Sequence, residues 1–268
     1  SYLDSVTMNY NWYPEVFDYV HKKGLIPFST PSSVEGAKFL LDLGVPCFKV
    51  ASMDVNYTPF FDELAAFGKP IIFSVGMGTV SEIDEAVRAI RSQNNNDIVI
   101  THFVANYPAK PEELNLRVLP TLRDMWDVLT GFSDNSVGTA SAVAAVALGA
   151  CVIEKHVTLD RKDTRSPDHF FALEPVEMKA LASGVREVEK SLGKSSHLVN
   201  REEHSKRGVL LRSLVARKPI RKGAKLKADM YHCVNPGTGI APRFFKTIEG
   251  MTVKKAVAVG DPITWGHF

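Results

Sequence analysis

The chain has few cysteines and no long hydrophobic run. Its three cysteines, Cys47, Cys151 and Cys233, are odd in number and far apart, a pattern that favours reduced thiols over a disulfide framework. No run approaches the ~20 apolar residues that span a bilayer, and the first residues lack the basic and apolar regions of a signal peptide. The sequence therefore predicts a cytoplasmic protein that does not act at a membrane.

A strong charge of one sign is also missing. The 268 residues include 32 Lys or Arg and 30 Asp or Glu, which gives a net charge of +2. This balance argues against a nucleic-acid partner and requires that any anionic ligand be held by a local group of residues. The length suits one barrel-sized domain, or a large domain with a small one.

Residues 14–193 alternate helix-like and strand-like segments, which is typical of βα units around a parallel sheet. Strands are predicted around Phe28, Phe48, Ile72, Val99, Leu129 and Val152. Ser81 is predicted to cap the helix that precedes the fourth strand. Polar residues recur at the strand ends and favour a (β/α)8 barrel, with an open sheet as the alternative. Because six strands do not close such a barrel, we expect about sixty to eighty further residues before Ser1.

The composition of the chain changes after Lys190. Residues 193–207 are polar and predict a linker, and the segment after it has short strand-like runs with Gly and Pro turns. We therefore divide the chain into a barrel domain, 1–192, which lacks its first βα units, a linker, 193–207, and a small β-rich domain, 208–268.

One lysine lies in an otherwise apolar predicted strand, PCFKVAS. An unpaired ammonium is costly there, so Lys49 needs either a bound anion or a carboxylate such as Asp54. Together with hydroxyl groups from Thr30, Ser52 and Ser133, the lysine could hold a small polyanion. Spacing favours neither alternative.

The densest polar chemistry follows the last predicted strand, in CVIEKHVTLDRKDTRSPDH. Glu154 and His156 are two residues apart and share one strand face. A loop containing Pro167 could carry Asp168 and His169 back over the strand ends. Two pairs of alternatives remain open: His156 is a metal ligand or a structural histidine, and the loop is a substrate clamp or a solvated segment.

Eight short motifs occur in a fixed order along the chain: STP (29–31), FKVAS (48–52), GKPIIFSVGM (68–77), NYPAKPEELNL (106–116), GFSD (131–134), EKHVTLD (154–160), SPDH (166–169) and LEP (173–175). In this order they resemble the sialic acid synthase family, including its spore-coat-polysaccharide relatives. The later segments RSLVARKPIRKGAKL and NPGTGI resemble the SAF (antifreeze-like) domain that follows the barrel in that family.

The resemblance implies an enzyme that condenses phosphoenolpyruvate with an N-acetylated mannose-type sugar to give phosphate and a nonulosonic acid. It also implies a divalent metal, Mn²⁺ or Mg²⁺, and a domain-swapped homodimer. By motif position, phosphoenolpyruvate is held by Thr30, Lys49, Ser52 and Ser133, the sugar is contacted by Tyr107 and by the catalytic carboxylates Glu154 and Asp168, and the metal is bound by His156 and Asn135.

The chain departs from the family pattern at several positions. Asn135 replaces a second histidine ligand, and Asn235 replaces an arginine that reaches the partner subunit's site. Ala105 and Val75 replace polar residues, and the family's opening motif, with a glutamate and a second lysine, has no counterpart. Two alternatives therefore remain: a non-catalytic or divergent paralogue that binds a glycan intermediate, and a synthase with a different acceptor.

Overall fold

The computed structural model describes residues 8–268. Close contacts divide the chain into two units, residues 1–193 and 194–268. The first seven residues, which the predicted barrel domain includes, lie outside the described part. Within residues 8–268, no helix is both long and apolar enough to cross a membrane.

Five parallel strands form the sheet of the first unit, and each pairs with the next along the chain. They are β1 (Phe48–Val50), β2 (Ile71–Ser74), β3 (Ile98–Phe103), β4 (Leu129–Asp134) and β5 (Val152–Lys155). The two outer strands approach each other across the concave face, because Lys49 on β1 forms an ion pair with Glu154 on β5. The sheet is therefore a curled half-barrel, which confirms the predicted barrel-type fold.

Seven helices precede, connect or follow these strands among the described residues of the first unit. They are α1 (Tyr13–Lys22), α2 (Val34–Asp42), α3 (Thr58–Ala66), α4 (Val80–Ser92), α5 (Val118–Trp126), α6 (Ala140–Ala147) and α7 (Pro175–Leu192). The prediction that Ser81 caps α4 is wrong. The cap is Thr79, whose hydroxyl accepts from the Glu82 amide while the Glu82 carboxylate accepts from the Thr79 amide, so both amides at the helix start are satisfied.

The strand predicted around Phe28 is not part of the sheet, so that prediction is wrong. Residues 25–30 have no strand pairing. Pro27 and Pro31 each lack an amide hydrogen, which removes two of the donors that a strand at this place would offer to a neighbour.

The two faces of the sheet differ in polarity because side chains alternate along each strand. The helix-covered face is mostly apolar and includes Phe48, Val50, Ile71, Phe73 and Ile100, which are fully buried in one core. Each such side chain stabilises the fold by roughly 1.5–3 kcal/mol. The concave face carries Lys49, Ser74, Thr101, Ser133 and Glu154. The register of the strands thus gathers polar groups on one face.

The second unit has its own small antiparallel sheet, β6 (Ser213–Ala216) paired with β7 (Tyr231–Val234). Its core is apolar and includes Leu214, Leu226, Ile240, Ile248 and Ile263. Two helices belong to it, α8 (Arg201–Leu210) and α9 (Phe245–Ile248). Part of the predicted linker is therefore helical, because Asn200 and Glu203 form a reciprocal cap at the start of α8.

Candidate functional site

Lys49 lies at the centre of the polar concave face. Its residue is 9% exposed, and its Nζ donates to Ser74 Oγ at 2.8 Å and to the Val50 carbonyl oxygen at 3.2 Å. The Glu154 Oε2 atom lies 3.3 Å from Nζ. The expected alternative partner, Asp54, forms no ion pair with Lys49 among the described residues, and partial burial raises the pKa of the Asp54 carboxyl. Glu154 therefore partners the buried ammonium.

A cavity of about 390 Å³ opens beside this ion pair. It lies between residues 28–30 and strands β1 and β5, and its polar lining comes from Ser29, Thr30, Lys49 and Glu154. The volume falls within the range of ordinary small-molecule sites. One buried cation, hydroxyl groups and one carboxylate together suit a small anion that carries further hydrogen-bonding groups.

A second group of predicted site residues surrounds His156, just beyond the end of β5. The His156 Nδ1 atom lies 3.7 Å from Asp168 Oδ2. The imidazole packs edge-on against Tyr107 and Phe171, with ring centroids 6.0 Å and 5.0 Å away. Tyr107 is about half exposed. A carboxylate, an imidazole and an exposed phenol ring thus meet at one end of the sheet.

The loop after β5 carries Asp168 back over the end of that strand to His156, a placement that the sequence allows. Its two ends are joined, because the Thr158 amide donates to the Leu173 carbonyl oxygen and the Leu173 amide donates to the His156 carbonyl oxygen, both at 2.9 Å. His169 Nδ1 lies 2.7 Å from Thr158 Oγ1 and makes a further contact inside the loop. The loop is therefore held in place at its base.

Other charged residues of this loop satisfy one another. Hydrogen bonds from Arg165 hold the pKa of the Asp163 carboxyl well below its usual range. Arg161 forms an ion pair with Glu177 and donates from Nε to the Ala172 carbonyl oxygen. These residues fix the loop and do not reach the cavity.

A buried ion pair joins β4 to β5 on the helix-covered face. Lys155 Nζ lies 2.8 Å from Asp134 Oδ2, and both side chains are almost fully buried. Lys155 also donates to the Ser136 carbonyl oxygen, and Asp134 Oδ1 accepts from the Ser136 amide and hydroxyl. Asp134, at the end of β4, therefore bonds on the helix-covered face rather than toward the cavity. It fixes the turn that carries Asn135.

Asn135 and the two predicted serines are buried near the strand ends. The Asn135 Nδ2 atom donates to the Val104 carbonyl oxygen at 3.3 Å, so Oδ1 is the side-chain atom that remains for a ligand. Ser133 lies beside Glu154 in the register of β4 and β5. Ser52 lies three residues after Lys49 in a short 3-10 turn. Neither serine lines the cavity beside Lys49.

The donor set around His156 fits a divalent metal only in part. His156 and Asp168 offer one nitrogen and one oxygen at a separation that a common ion can bridge after a small shift, and the family resemblance adds Asn135 Oδ1, just after the end of β4, as a third donor. Within residues 8–268, no cluster of three or more His, Cys, Asp or Glu side chains has the arrangement of a metal site. Water and substrate oxygens would therefore complete the coordination of a metal bound here.

In the second unit, Asn235 has a structural contact. Its Nδ2 donates to the Leu210 carbonyl oxygen at 2.6 Å and lies 3.4 Å from the carbonyl oxygens of Val209 and Leu211. These carbonyl groups lie at and just after the end of α8, where the helix leaves acceptors without partners. The side chain of Asn235 therefore caps the carboxyl end of α8.

Sequence reasoning missed two sets of contacts, the hydrogen bond between the Ser74 and Thr101 hydroxyl groups and the Lys155–Asp134 ion pair. Alternation along FKV, IIFS and ITHF is the signal that could have placed Lys49, Ser74 and Thr101 on one face. The partner of Lys155 depends on strand register, which the sequence does not display.

Comparison with known proteins adds a family assignment to this geometry. The model of the NeuB family matches residues 1–197, and that of the SAF domain matches residues 212–268. The chain is 34% identical to a pseudaminic acid synthase of Campylobacter jejuni, over 99% of this chain and 77% of that protein. It is 33% identical to the human N-acetylneuraminate-9-phosphate synthase, over 95% of this chain and 71% of that protein.

A solved structure is similar over nearly the whole chain. The spore coat polysaccharide biosynthesis protein SpsE of Bacillus subtilis matches 97% of this chain and 78% of its own, at 33% identity and a TM-score of 0.67. The match to SpsE extends through both units of the chain. The chain spans about three quarters of the length of these relatives.

Proposed function

This chain belongs to the NeuB family, and on that premise we propose that it condenses phosphoenolpyruvate with an N-acetylated mannose-type sugar to form a nonulosonic acid. The observation that carries the proposal is the buried ammonium of Lys49 at the wall of a cavity of about 390 Å³. A buried cation with hydroxyl neighbours suits the carboxylate and phosphate of phosphoenolpyruvate.

The reaction forms a carbon–carbon bond between C3 of phosphoenolpyruvate and the aldehyde carbon of the sugar. One water molecule is consumed and one phosphate is released, so that the product carries a 2-keto acid. The family includes synthases of sialic, pseudaminic and legionaminic acids, and all of these names describe nonulosonic acids. The acceptor sugar therefore depends on the pocket of each protein.

The residues of this chain divide between the two substrates. Lys49 binds an anionic group of phosphoenolpyruvate, helped by the Thr30 hydroxyl group at the wall of the same cavity. Ser52 and Ser133, which the family resemblance adds, contact the ligand only where it extends beyond this cavity. Glu154 holds Lys49 in the free protein, and an arriving anion competes with this carboxylate for the same ammonium. Displaced from Lys49, Glu154 is free to accept a hydrogen bond from a sugar hydroxyl group.

The sugar binds at the end of β5 in this proposal. Asp168 accepts hydrogen bonds from sugar hydroxyl groups, and the half-exposed ring of Tyr107 packs on the sugar's apolar face. A bound Mn²⁺ or Mg²⁺, held by His156, Asp168 and Asn135 Oδ1, would supply Lewis acidity at the aldehyde oxygen.

The direct test is to incubate the protein with phosphoenolpyruvate, Mn²⁺ and a panel of N-acetylated hexoses and to follow phosphate release. We expect release with at least one sugar and a product of matching mass. Lys49→Met should reduce the release by about 30-fold or more, because a charge-assisted contact is lost. Lys38→Met removes an exposed lysine of α2 and should match the unchanged protein. No release with any sugar or metal would refute the proposal.

A non-catalytic paralogue that binds a glycan intermediate is the second candidate, and Asn135 favours it. An amide oxygen is a weaker ligand than imidazole for a divalent transition metal. Titration calorimetry with Mn²⁺ separates the two candidates. Stoichiometric binding to the unchanged protein supports the enzyme, whereas binding and activity that appear only in Asn135→His support loss of function.

We further propose a domain-swapped homodimer that acts in the cytoplasm. The homodimer is the assembly expected from the family resemblance, and phosphoenolpyruvate is a cytoplasmic metabolite. The three cysteines form no disulfide, which agrees with a reducing compartment. Sedimentation of the protein at micromolar concentration should give the mass of a dimer; a monomer alone would contradict the assembly.

A further inference from the structure

We propose that Thr101 is a positioning residue that orients Ser74, and through Ser74 the ammonium of Lys49, for the binding of a small carboxylate or phosphate anion. This inference rests on the proposed function, since the anion in question is phosphoenolpyruvate. It adds to that function a residue of the strand interior that does not itself line the cavity.

The three side chains form a hydrogen-bonded chain across β1, β2 and β3. Lys49 Nζ lies 2.8 Å from Ser74 Oγ, and Ser74 Oγ lies 2.8 Å from Thr101 Oγ1. Thr101 Oγ1 in turn donates to the Phe73 carbonyl oxygen at 3.2 Å. Each hydroxyl has one hydrogen to donate.

The direction of the chain follows from this single hydrogen. Because Thr101 donates to Phe73, its oxygen accepts from Ser74. Ser74 then has no further hydrogen to donate. It can only accept from Lys49, because an ammonium group donates hydrogen bonds and cannot accept them. Thr101 thus fixes the Ser74 lone pair toward Lys49, and the Ser74 contact fixes one of the three N–H directions of the ammonium.

Packing holds Thr101 in the conformation that this chain requires. A Cβ atom added at Gly131 would lie 2.9 Å from Thr101 Cγ2, so the missing side chain of Gly131 makes room for that methyl group. With the methyl group seated there, the branched side chain has one favoured rotamer, and its hydroxyl is directed away from Gly131.

Burial makes the arrangement sensitive to the loss of one hydroxyl. Thr101 is 0% exposed and Ser74 is 3% exposed, so water does not replace a lost partner at low cost. Without the Thr101 oxygen, Ser74 can turn its hydrogen toward other acceptors and no longer offers a fixed lone pair to Lys49. The ammonium then samples more orientations, and anion binding weakens.

The experiment measures phosphoenolpyruvate binding by titration calorimetry for the unchanged protein, Thr101→Val and Thr101→Ser. Valine has the shape of threonine without the hydroxyl, and we expect it to weaken binding by about threefold to tenfold. Serine keeps the hydroxyl and should lie closer to the unchanged protein. In steady-state assays, Thr101→Val should raise KM for phosphoenolpyruvate and leave KM for the sugar unchanged.

Thr130→Val is the matched control. Thr130 is also buried in the sheet, and it is the register partner of Ile100, so its side chain lies on the opposite face from Thr101. The Thr130 hydroxyl makes no hydrogen bond among the described residues, so its replacement should leave phosphoenolpyruvate binding unchanged and should lower the midpoint of thermal unfolding less than Thr101→Val does. Equal weakening by both variants would overturn the inference, because burial of valine alone would then explain it.

A double variant tests whether Thr101 acts through Ser74. The effect of Thr101→Val should largely disappear when Ser74 is already alanine, and full additivity would overturn the inference. Unchanged binding in Thr101→Val would also overturn it while the proposed function stands. Weakened binding without phosphate release would support the inference and sink the proposed function, and no binding to the unchanged protein would overturn both.

Discussion

The two units of the chain use polar residues in opposite ways. Residues 1–193 have 17 Lys or Arg and 25 Asp or Glu, a net charge of −8, whereas residues 194–268 have 15 and 5, a net charge of +10. Yet among the described residues the buried polar side chains lie in the first unit, with Ser213 as the exception. The near-zero charge of the whole chain hides both facts.

This difference between buried and surface charges indicates which unit holds the candidate functional site. Lysines on the surface of the second unit keep their hydration and need no partner, whereas Lys49 and Lys155 are buried and each contacts a carboxylate. A buried polar group is costly unless it is bonded, so its presence inside the first unit calls for a reason. The strong positive charge of the second unit gives no such indication of a site.

The largest loss of stability is expected when a buried ion pair is broken, and breaking an exposed ion pair serves as the control. Lys155→Met leaves Asp134 as an unpaired buried charge, and we expect it to lower the free energy of unfolding of the first unit by about 3–5 kcal/mol. Urea unfolding followed by circular dichroism, with hydrogen exchange to separate the units, measures the change.

The matched control lies in the second unit, where Lys218 pairs with Asp229 on the surface. Lys218→Met should leave the unfolding midpoint of that unit unchanged, because both side chains are well hydrated. A comparable loss of stability in the two variants would break the contrast between a unit with buried charges and a unit with surface charges.

An intermediate loss of stability is expected when alanine replaces either of two glycines, one in each unit, that pack closely against neighbouring backbone. A Cβ atom at Gly131 would lie 2.7 Å from the Val152 carbonyl oxygen, and one at Gly239 would lie 2.8 Å from the Ile263 carbonyl oxygen. Alanine at either position should destabilise its own unit by about 1–3 kcal/mol, as measured by unit-resolved hydrogen exchange.

Gly184 provides the control for these alanine substitutions. It lies within α7, and the nearest atom to an added Cβ, Val143 Cγ2, is at an ordinary contact distance of 3.4 Å. Gly184→Ala should therefore stabilise the first unit by roughly 0.5–1 kcal/mol, because alanine favours a helix interior. A destabilised Gly184→Ala together with an unaffected Gly131→Ala would contradict the packing described for the sheet.

The smallest expected effect is a dependence on pH that belongs to the first unit. Burial lowers the pKa of His102, against an opposing effect of its contact with the Leu114 carbonyl oxygen. Between the folded and the unfolded pKa of His102, the unfolded chain therefore binds a proton at this histidine and the folded chain does not. The stability that this neutral histidine contributes is present above about pH 6.5 and is lost as the pH falls from there through the lower folded pKa.

His102→Gln removes this titration and keeps a side-chain amide that can donate to Leu114. The unfolding temperature of the first unit should fall less in the variant than in the unchanged protein between about pH 7.5 and about pH 5.5. The second unit should behave alike in both proteins. If the unfolding temperature of the first unit changed with pH in the same way in both proteins, His102 would be ruled out as the source of the pH dependence.

The sequence predicted features that depend on local patterns and missed those that depend on register. The repeated βα units, the SAF resemblance and the return of Asp168 to His156 all follow from periodicity, motif order or a loop with Pro167. The apolar run around Phe28 predicts a strand, but Pro27 and Pro31 remove two of the amide donors that a strand there would need. The cap of α4 was placed two residues late because Ser81 and Thr79 are both good caps.

Contacts across the sheet were beyond prediction for a physical reason. Lys49 had two equally good partners on spacing alone, a bound anion and Asp54, and only the curl of the sheet brings Glu154 to it. Threonine is a common residue in strands, so Thr101 does not stand out in the sequence. Its contact with Ser74 can be predicted only when the side-chain alternation of each strand and the pairing of β2 with β3 are both known.

The joined base of the loop after β5 has a consequence for how specificity can change. Thr158 and Leu173 are tied to each other independently of the residues between them, so insertions or deletions in residues 159–171 need not shift His156 or the start of α7. The cost of closing such a loop rises only slowly with its length. The segment that carries Asp168 is thus attached to a base whose backbone contacts do not include it. Under the proposed function, exchanging this segment between relatives is the change that should alter the acceptor sugar.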